Sequence, residues 1–492
     1  MRHRYPGGFI LALAVLSTLH GQASLSEKSS LAKQAMARGD FAKAAALYEE
    51  LAKALPENSG ITLNLGLARY SAGQYQAALS NFQQALRQDP RNNPAHLFIG
   101  LIHLKQGEAE QALPPLEAFL KADPANNVAR LELADAYLSL GRAEQAALHF
   151  GKLAESDPGN PKAWYGLGLS HDTLAHRFSG ELEAAAPGSA WAFAAAGYWR
   201  MEQQQYRGAL TFFRRALAVD PALPGVHRAA ATVYSVMGHP DWAAVEQKRE
   251  DGLPATDCRQ KPAACEFAAG RYARAAQIAG SAQTPESLFW RIRAHQEAAR
   301  QSFEHLAGLP PNGEVHQYRA EQYGRQGRHA DAAREWAEAI RFEPDLPRLR
   351  KELARSLWLS RNWEAALPLL EQLTRNEPKS PQLAFELGDT LLELRGPEAA
   401  LPWRTAAVEA APDLLPARVS LARAFVRSGQ PEKALPHLEA SLSIDDDGDL
   451  YQQLARAYDA VGKPEQAEAA RRKYEEIRQN SANAAPAGLP EP

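Results

Sequence analysis

The sequence predicts an all-α protein, a right-handed α-solenoid of helix–turn–helix repeats arranged in two arrays. Three observations support this fold class. The 492 residues are rich in alanine, leucine, glutamate, arginine and glutamine, which favour helices. No run of alternating β-branched residues indicates a sheet. Closing prolines recur every 34 residues near the N-terminus, at Pro56, Pro90, Pro124 and Pro158.

The repeat is most regular between Ser59 and Asn160, where four kinds of residue recur at fixed positions. The eighth position is small, the fifteenth is glycine, the twentieth is alanine, and the twenty-fourth is bulky and apolar. In that order the residues are Gly66, Gly100 and Ala134; Gly73, Gly107 and Gly141; Ala78, Ala112 and Ala146; and Phe82, Leu116 and Phe150. Small residues let two helices approach closely, while the glycine ends the first helix in a left-handed cap.

This pattern resembles the tetratricopeptide repeat, a helix–turn–helix unit that stacks into a superhelix. The resemblance covers almost the whole chain that follows the N-terminal segment. It implies a protein-interaction role in which ligands are bound on the concave face. In the family, those contacts come from the first helix of each repeat, around its second, fifth, ninth and twelfth positions.

The predicted organisation has five segments along the chain. They are a signal peptide over 1–23, a first repeat array over 24–252, an irregular junction over 253–285, a second array ending in a capping helix over 286–479, and a disordered tail over 480–492. Two units deviate from the full period. Pro161 to Ser189 is predicted to be a shortened repeat whose second helix ends near Pro187. Ser287 to Asn312 is predicted to be a compressed repeat.

The N-terminal segment has the three parts of a secretory signal. Two arginines precede the apolar run Phe9–Leu19, and the small residues Gly21 and Ala23 mark a cleavage site. The apolar run is too short to span a bilayer, although an uncleaved anchor is the alternative. No later stretch is apolar enough for a span. We therefore expect export to the periplasm or outside the cell, without membrane insertion after cleavage.

The only two cysteines, Cys258 and Cys265, lie in the junction. In an exported protein such a pair most often forms a disulfide. On one continuous helix their Cα atoms would be about 10 Å apart, which is too far to bridge. Pro262 interrupts the helix between them, so Cys258 can fold back. The sequence therefore predicts a disulfide, with two free buried thiols as the alternative.

No catalytic constellation is present in the sequence. It lacks the His-Glu-x-x-His and Gly-x-Ser-x-Gly motifs, a phosphate-binding loop and a dinucleotide fingerprint. We therefore expect no enzyme activity, no cofactor and no metal site. The net charge of −3 gives no bulk attraction to nucleic acid. The expected partner is a protein or a peptide.

The resemblance places an apolar groove in the first array. Its fifth, ninth and twelfth positions are mostly leucines, namely Leu63, Leu67, Tyr70, Leu97, Leu101, Leu104, Leu131 and Leu138. A large exposed apolar patch usually marks an interaction site, here for a peptide with apolar anchors. The alternative is that this groove is narrow or covered by another part of the chain.

The second array carries charge at the same positions. The ninth positions include Arg355, Arg423 and Arg456, and Lys351 and Trp358 flank the first of them. These residues are candidates for binding an acidic ligand. In the alternative interpretation, Asp389 at the intervening ninth position neutralises the arginines on either side of it.

These patterns predict a non-catalytic scaffold or adaptor of the cell envelope that binds peptide or protein partners in its concave groove. The main alternative is a structural component of an oligomeric envelope or secretion assembly, which would use its convex face and ends. The sequence does not determine the oligomeric state.

Overall fold

The computed structural model describes residues 25–280, 282–445 and 448–483. Helices are the only regular elements within these ranges, and no strand occurs in them. The predicted all-α class and its helix–turn–helix units are therefore confirmed. The predicted signal peptide lies outside the described residues, as does residue 484 onward of the predicted disordered tail. Residues 480–483 of that tail instead continue the last helix, which ends at Asn483. None of the described helices is both long and apolar enough to cross a membrane.

The first half of the chain contains helices α1 to α13. Their bounds are 25–37, Phe41–Ala54, Ser59–Ser71, Tyr75–Gln88, Asn93–Lys105, Ala109–Ala122, Asn127–Ser139, Ala143–Ser156, Pro161–Ala185, Ala190–Glu202, Tyr206–Val219, Val226–Val236 and Pro240–Asp251. The second half contains helices α14 to α26. Their bounds are Pro262–Ala268, Tyr272–Ala279, Pro285–Gly308, Gly313–Arg325, His329–Phe342, Pro347–Leu359, Trp363–Asn376, Pro381–Arg395, Pro397–Ala410, Leu415–Arg427, Pro431–Glu439, Asp449–Ala460 and Pro464–Asn483.

The chain forms two compact units that are not contiguous in sequence. Unit 1 contains the described residues up to Phe178, together with Gly270–Gln277 and Arg291–His305. Unit 2 contains Ser179–Ala269, Ile278–Trp290 and the described residues from Leu306 onward. Helices α9 and α16 each supply residues to both units. The array boundaries inferred from the sequence remain predictions.

Close helix packing in unit 1 depends on the small residue at the eighth repeat position. A Cβ atom on Gly66 would lie 2.6 Å from the ring of Phe82, and one on Gly100 would lie 2.5 Å from Cγ of Leu116. Phe82 and Leu116 are fully buried. The turn glycine between the paired helices adopts a left-handed conformation, with φ of +74° at Gly73. The sequence therefore identified the residues that hold each helix pair together.

This packing predicts a contrast between two glycine-to-alanine substitutions. Gly100→Ala forces the new methyl group against Leu116, and overpacking of this kind costs about 1–3 kcal/mol. Gly151→Ala in α8 meets no atom within 4 Å and should stabilise the helix by up to about 1 kcal/mol. Urea unfolding followed by circular dichroism should move the two midpoints in opposite directions. Equal midpoints would contradict the close-packing interpretation.

Helix α9 differs from the shortened repeat that the sequence predicted at this point. It runs without a break from Pro161 to Ala185. The fifteenth position, where the three preceding repeats have the turn glycines Gly73, Gly107 and Gly141, is occupied by Ala175, which is fully buried inside the helix. Because no residue here takes the left-handed conformation, the helix continues instead of reversing. The prediction of a second helix ending near Pro187 is wrong.

The missing second helix is supplied from a distant part of the chain. Within unit 1, the ring of Phe303 from α16 packs against Gly168 of α9. A Cβ atom on Gly168 would lie 2.6 Å from Cε1 of that ring. Phe303 follows Gly168 by 135 residues, whereas 16 residues separate Gly66 from Phe82. Nearby, Trp164 stacks on His305 with ring centroids 4.0 Å apart. The compressed repeat predicted over this stretch is instead the single helix α16.

Two half-buried histidines also join α9 to α16 in unit 1. Nδ1 of His171 lies 3.1 Å from Nδ1 of His295, a spacing that fits one shared proton. Phe178 stacks against His295, and the guanidinium of Arg291 lies 3.6 Å from the Phe178 ring centroid. Burial lowers the pKa of His171 to about 4. Burial, followed by the charges of His171, Arg291 and Arg177, lowers the pKa of His295 to about 3.

This pair predicts that unit 1 loses stability in acid. Both pKa values lie below the unfolded value of about 6.5, so the unfolded chain binds protons first as the pH falls. The stability that the neutral pair provides is present above pH ~6.5 and is lost as the pH falls through about 4 and about 3.

Urea midpoints measured at neutral and acidic pH should reveal this loss. The double variant His171→Phe/His295→Leu should show a smaller loss, and the exposed His176→Gln should match the parent. An equally steep loss in the double variant would refute the assignment.

Candidate interaction surfaces

The first helices of three consecutive repeats in unit 2 pack side by side. Helix α21 contacts both α19 and α23. Trp358 of α19 meets Phe385 of α21 edge-on, with ring centroids 5.4 Å apart. Both rings belong to one apolar cluster with Leu421 and Phe425 of α23. Because the twelfth and fifth positions pack between neighbouring helices, the ninth positions lie on the same side of the three helices.

Two of the arginines predicted to bind a ligand, Arg355 and Arg423, are exposed at these ninth positions, and the third, Arg456, is exposed on α25. We call Arg355, Arg423 and Arg456 the basic strip. None of the three forms an ion pair or a side-chain hydrogen bond with any residue that the structure describes. Lys351 differs, because its Nζ lies 2.7 Å from Oε1 of Glu377. Trp358 is half-buried in the apolar cluster.

Asp389 does not balance the neighbouring arginines, as the alternative interpretation required. Its Oδ1 accepts hydrogen bonds from Nη2 of Arg404, on the second helix of the same repeat, and from Oγ of Ser420, on α23. The same arginine donates through Nη1 to the carbonyl oxygen of Ser420. The carboxylate between Arg355 and Arg423 is therefore neutralised from within the repeat.

Arg404 occupies a core position that other repeats fill with an apolar side chain. It is 1% exposed, and a Cβ on Gly388 would lie 2.6 Å from its Cγ, as Phe82 lies against Gly66. Burial lowers the pKa of Arg404 to about 10, while Asp389 opposes that shift. The guanidinium therefore stays charged at neutral pH. Its Nε has no partner among the described residues.

A second carboxylate lies near the basic strip but is withdrawn from solvent. Glu386 of α21 is 2% exposed and accepts a hydrogen bond from Nε2 of Gln382 at 2.7 Å. Burial raises the pKa of Glu386, whereas Gln382 and Arg355 act in the opposite direction. Glu352 and Asp389 reinforce the upward shift. The Glu386 carboxylate is therefore inaccessible to a ligand in front of Arg355.

The apolar residues predicted to line the first-array groove are less accessible than the sequence suggested. All eight are half-buried. Leu63, Leu67 and Tyr70 pack against one buried cluster, and Leu97, Leu104, Leu131 and Leu138 pack against another. These side chains contribute to the interfaces between helices. A ligand-binding role for them, and for Leu101, remains a prediction.

The structure brings Cys258 and Cys265 to disulfide distance, with Cα atoms 5.7 Å apart. As predicted, Pro262 begins a new helix, α14, so Cys258 lies in the turn before it. The predicted irregular junction holds two short helices, α14 and α15.

Breaking this bond should loosen a segment that has little core of its own. Closing a short loop contributes about 2–3 kcal/mol by the chain-entropy estimate. Cys258→Ser/Cys265→Ser should therefore be cleaved faster than the parent by a protease acting on the segment around residues 253–285. Thiol titration of the denatured, unreduced parent should find no free thiol. Two free thiols would contradict the pairing.

The remaining polar clusters have structural partners. Oγ of Ser170 donates to the carbonyl of Gly166 at 2.7 Å. The carboxylate of Asp445 accepts from the backbone nitrogens of Leu450 and Tyr451, and so caps α25. Among the residues described, no three histidine, cysteine, aspartate or glutamate side chains are grouped so that they could hold a metal ion.

Two features of these surfaces were missed in the sequence, although each left a signal. Arg404 stands where the twenty-fourth position is otherwise bulky and apolar, as at Leu370 and Leu438 in the repeats on either side. Ala299 and Phe303 have the four-residue spacing of Ala78 and Phe82 without a first helix before them. Both signals are departures from the repeat pattern.

Family models described as tetratricopeptide repeat match five stretches of the chain. The stretches are residues 30–79, 63–127, 103–169, 351–414 and 415–440. No curated protein matches the sequence significantly.

Solved structures with helical repeats resemble the chain at low identity. A tetratricopeptide repeat protein from Parabacteroides merdae is 15% identical over 68% of this chain and 99% of its own, with a TM-score of 0.33. A chain of the APC/C hetero-tetramer Cut9-Hcn1 is 14% identical over 91% of this chain and 92% of its own, also with a TM-score of 0.33. MamA is 18% identical over 36% of this chain and 98% of its own, with a TM-score of 0.31. At these TM-scores the neighbours add nothing to the assignment. The family models and the observed helix pairs establish that the chain contains tetratricopeptide repeats over residues 30–169 and 351–440.

Proposed function

We propose that this protein is a non-catalytic interaction scaffold of the cell envelope, and that a peptide or protein partner binds along the first helices of its second array. The main support is the basic strip, because Arg355, Arg423 and Arg456 are exposed and form no ion pair or side-chain hydrogen bond with any described residue. Unpaired charges of one sign do not stabilise the free protein. They strengthen association with a partner of opposite charge.

Two observations support the envelope location. The first 23 residues have the pattern of a cleaved export signal. Cys258 and Cys265 lie at disulfide distance, and disulfides persist mainly in oxidising compartments. Fractionation of the tagged chain should therefore recover a form that lacks the segment before Ser24. Recovery of the full-length chain in the cytoplasm would contradict this part of the proposal.

Site-specific photo-crosslinking tests where the partner binds. A photoreactive residue at Val426 would report on the proposed face, because Val426 is 41% exposed and lies one helical turn after Arg423. The matched control position is Arg375, which is exposed on α20, the second helix of its repeat. We expect a discrete crosslinked partner, identified by mass spectrometry, at Val426 and not at Arg375.

The other outcomes contradict the proposal in different ways. A discrete partner at Arg375 alone would place binding on the second helices. Crosslinks between copies of this chain would favour the structural-assembly alternative. No discrete crosslink at either position would remove the support for a scaffold that acts through this array.

A further inference from the structure

Building on the proposed function, we infer that the partner presents an acidic segment to the basic strip, and that Arg404 creates this preference by neutralising Asp389 from inside the repeat. Along three neighbouring first helices, the ninth positions are Arg355, Asp389 and Arg423. A free carboxylate at the middle position would weaken the attraction of the two arginines for an anion. Its engagement by Arg404 and Ser420 removes that opposition.

The positive charge of Arg404, which compensates Asp389, is not itself exposed at the surface. Arg404 is 1% exposed, so a ligand cannot pair with it directly. The side chain of Asp389 is 18% exposed and shows solvent a carboxylate that is already paired. The Asp389–Arg404 pair therefore adds no net charge at the middle position between Arg355 and Arg423. Arg404 is a positioning residue, because it acts on a ligand only through Asp389.

Apolar side chains beside the arginines narrow the chemistry of the partner. Trp358 and Val426 each lie three residues after a strip arginine, which places each pair on one helix face. Val426 is 41% exposed, and Trp358 is half-buried. A matching segment carries carboxylates for the arginines and apolar residues for these neighbours. This favours an acidic protein segment over a nucleic acid, whose backbone offers phosphates without apolar side chains.

The helix spacing sets the distance between the acidic groups. Packed helices lie about 10 Å apart, so two steps from α19 to α23 separate Arg355 from Arg423 by about 20 Å. An extended chain covers that distance in about six residues. We therefore expect the favoured segment to hold two acidic clusters about six residues apart, joined by a stretch with apolar residues.

Fluorescence anisotropy with designed peptides tests this inference on the full mature chain. The probe is a labelled peptide with two glutamate pairs joined by a serine–leucine spacer of about six residues. The controls are the same peptide with glutamine in place of glutamate, and a labelled single-stranded DNA. We expect the glutamate peptide to bind at least about tenfold more tightly than the glutamine peptide, and its affinity to fall as salt rises. Preference for the glutamine peptide or the DNA would overturn the inference.

Single substitutions in the strip identify the contact. Arg355→Gln and Arg423→Gln should each weaken the glutamate peptide about tenfold, because each removes a charge-assisted hydrogen bond. Arg375→Gln, on the second helix α20, should leave its affinity unchanged. If all three variants bind equally, the acidic segment does not lie on this face.

A double-variant comparison isolates the role of Arg404. Arg404→Leu restores the apolar residue found at this position in neighbouring repeats and leaves Asp389 uncompensated. It should weaken the glutamate peptide about threefold to tenfold. Arg404→Leu/Asp389→Asn should recover the parent affinity, because it removes both charges of the pair.

Circular dichroism of each variant excludes a folding defect. If Arg404→Leu fails to fold, the double variant carries the comparison alone, and affinity below that of the parent would contradict the charge mechanism. If the glutamate peptide shows no preferential binding but a discrete crosslink forms at Val426, the acidic preference is refuted and the proposed function stands. Loss of that crosslink would refute both.

Discussion

The structure depends on one steric condition: a small residue at the eighth repeat position must accept a large side chain from the paired helix. Gly66 and Gly100 leave no room for a methyl group against Phe82 and Leu116. Each such contact fixes the spacing of two helices and, through it, the direction in which their remaining residues point. The buried contact therefore also determines where the exposed side chains at the ninth positions lie.

Arg404 shows how the same contact can carry an electrostatic function. It fills the core slot opposite Gly388 that is elsewhere apolar, yet its charged end reaches Asp389 at the edge of the ligand-facing side. A buried ion pair of this kind contributes little to stability compared with an apolar replacement. Its effect lies in the charge of the surface, because it neutralises Asp389, the acidic residue at the ninth position between Arg355 and Arg423. Core and surface are thus linked through a single side chain.

The pairing of α9 with α16 shows that a repeat need not be continuous in sequence. Gly168 requires a bulky partner, and Phe303 supplies it from 135 residues away. The half-buried pair of His171 and His295 lies along the same two helices. Closure over such a long stretch costs more chain entropy than the short turn of a regular repeat. The aromatic and histidine contacts of α16 offset that cost within unit 1.

The sequence by itself determined the fold class, the helix pairs between Ser59 and Asn160, the bridging distance of Cys258 and Cys265, and the arginines of the basic strip. These follow from local spacing, which fixes the face of a helix on which a residue lies. Tertiary structure alone decided what each residue meets. It paired Asp389 with Arg404, left the first-array leucines half-buried between helices, and placed α16 beside α9 within unit 1. Residues that depart from the repeat pattern, such as Arg404 and Phe303, have partners on other helices, so local spacing does not identify those partners.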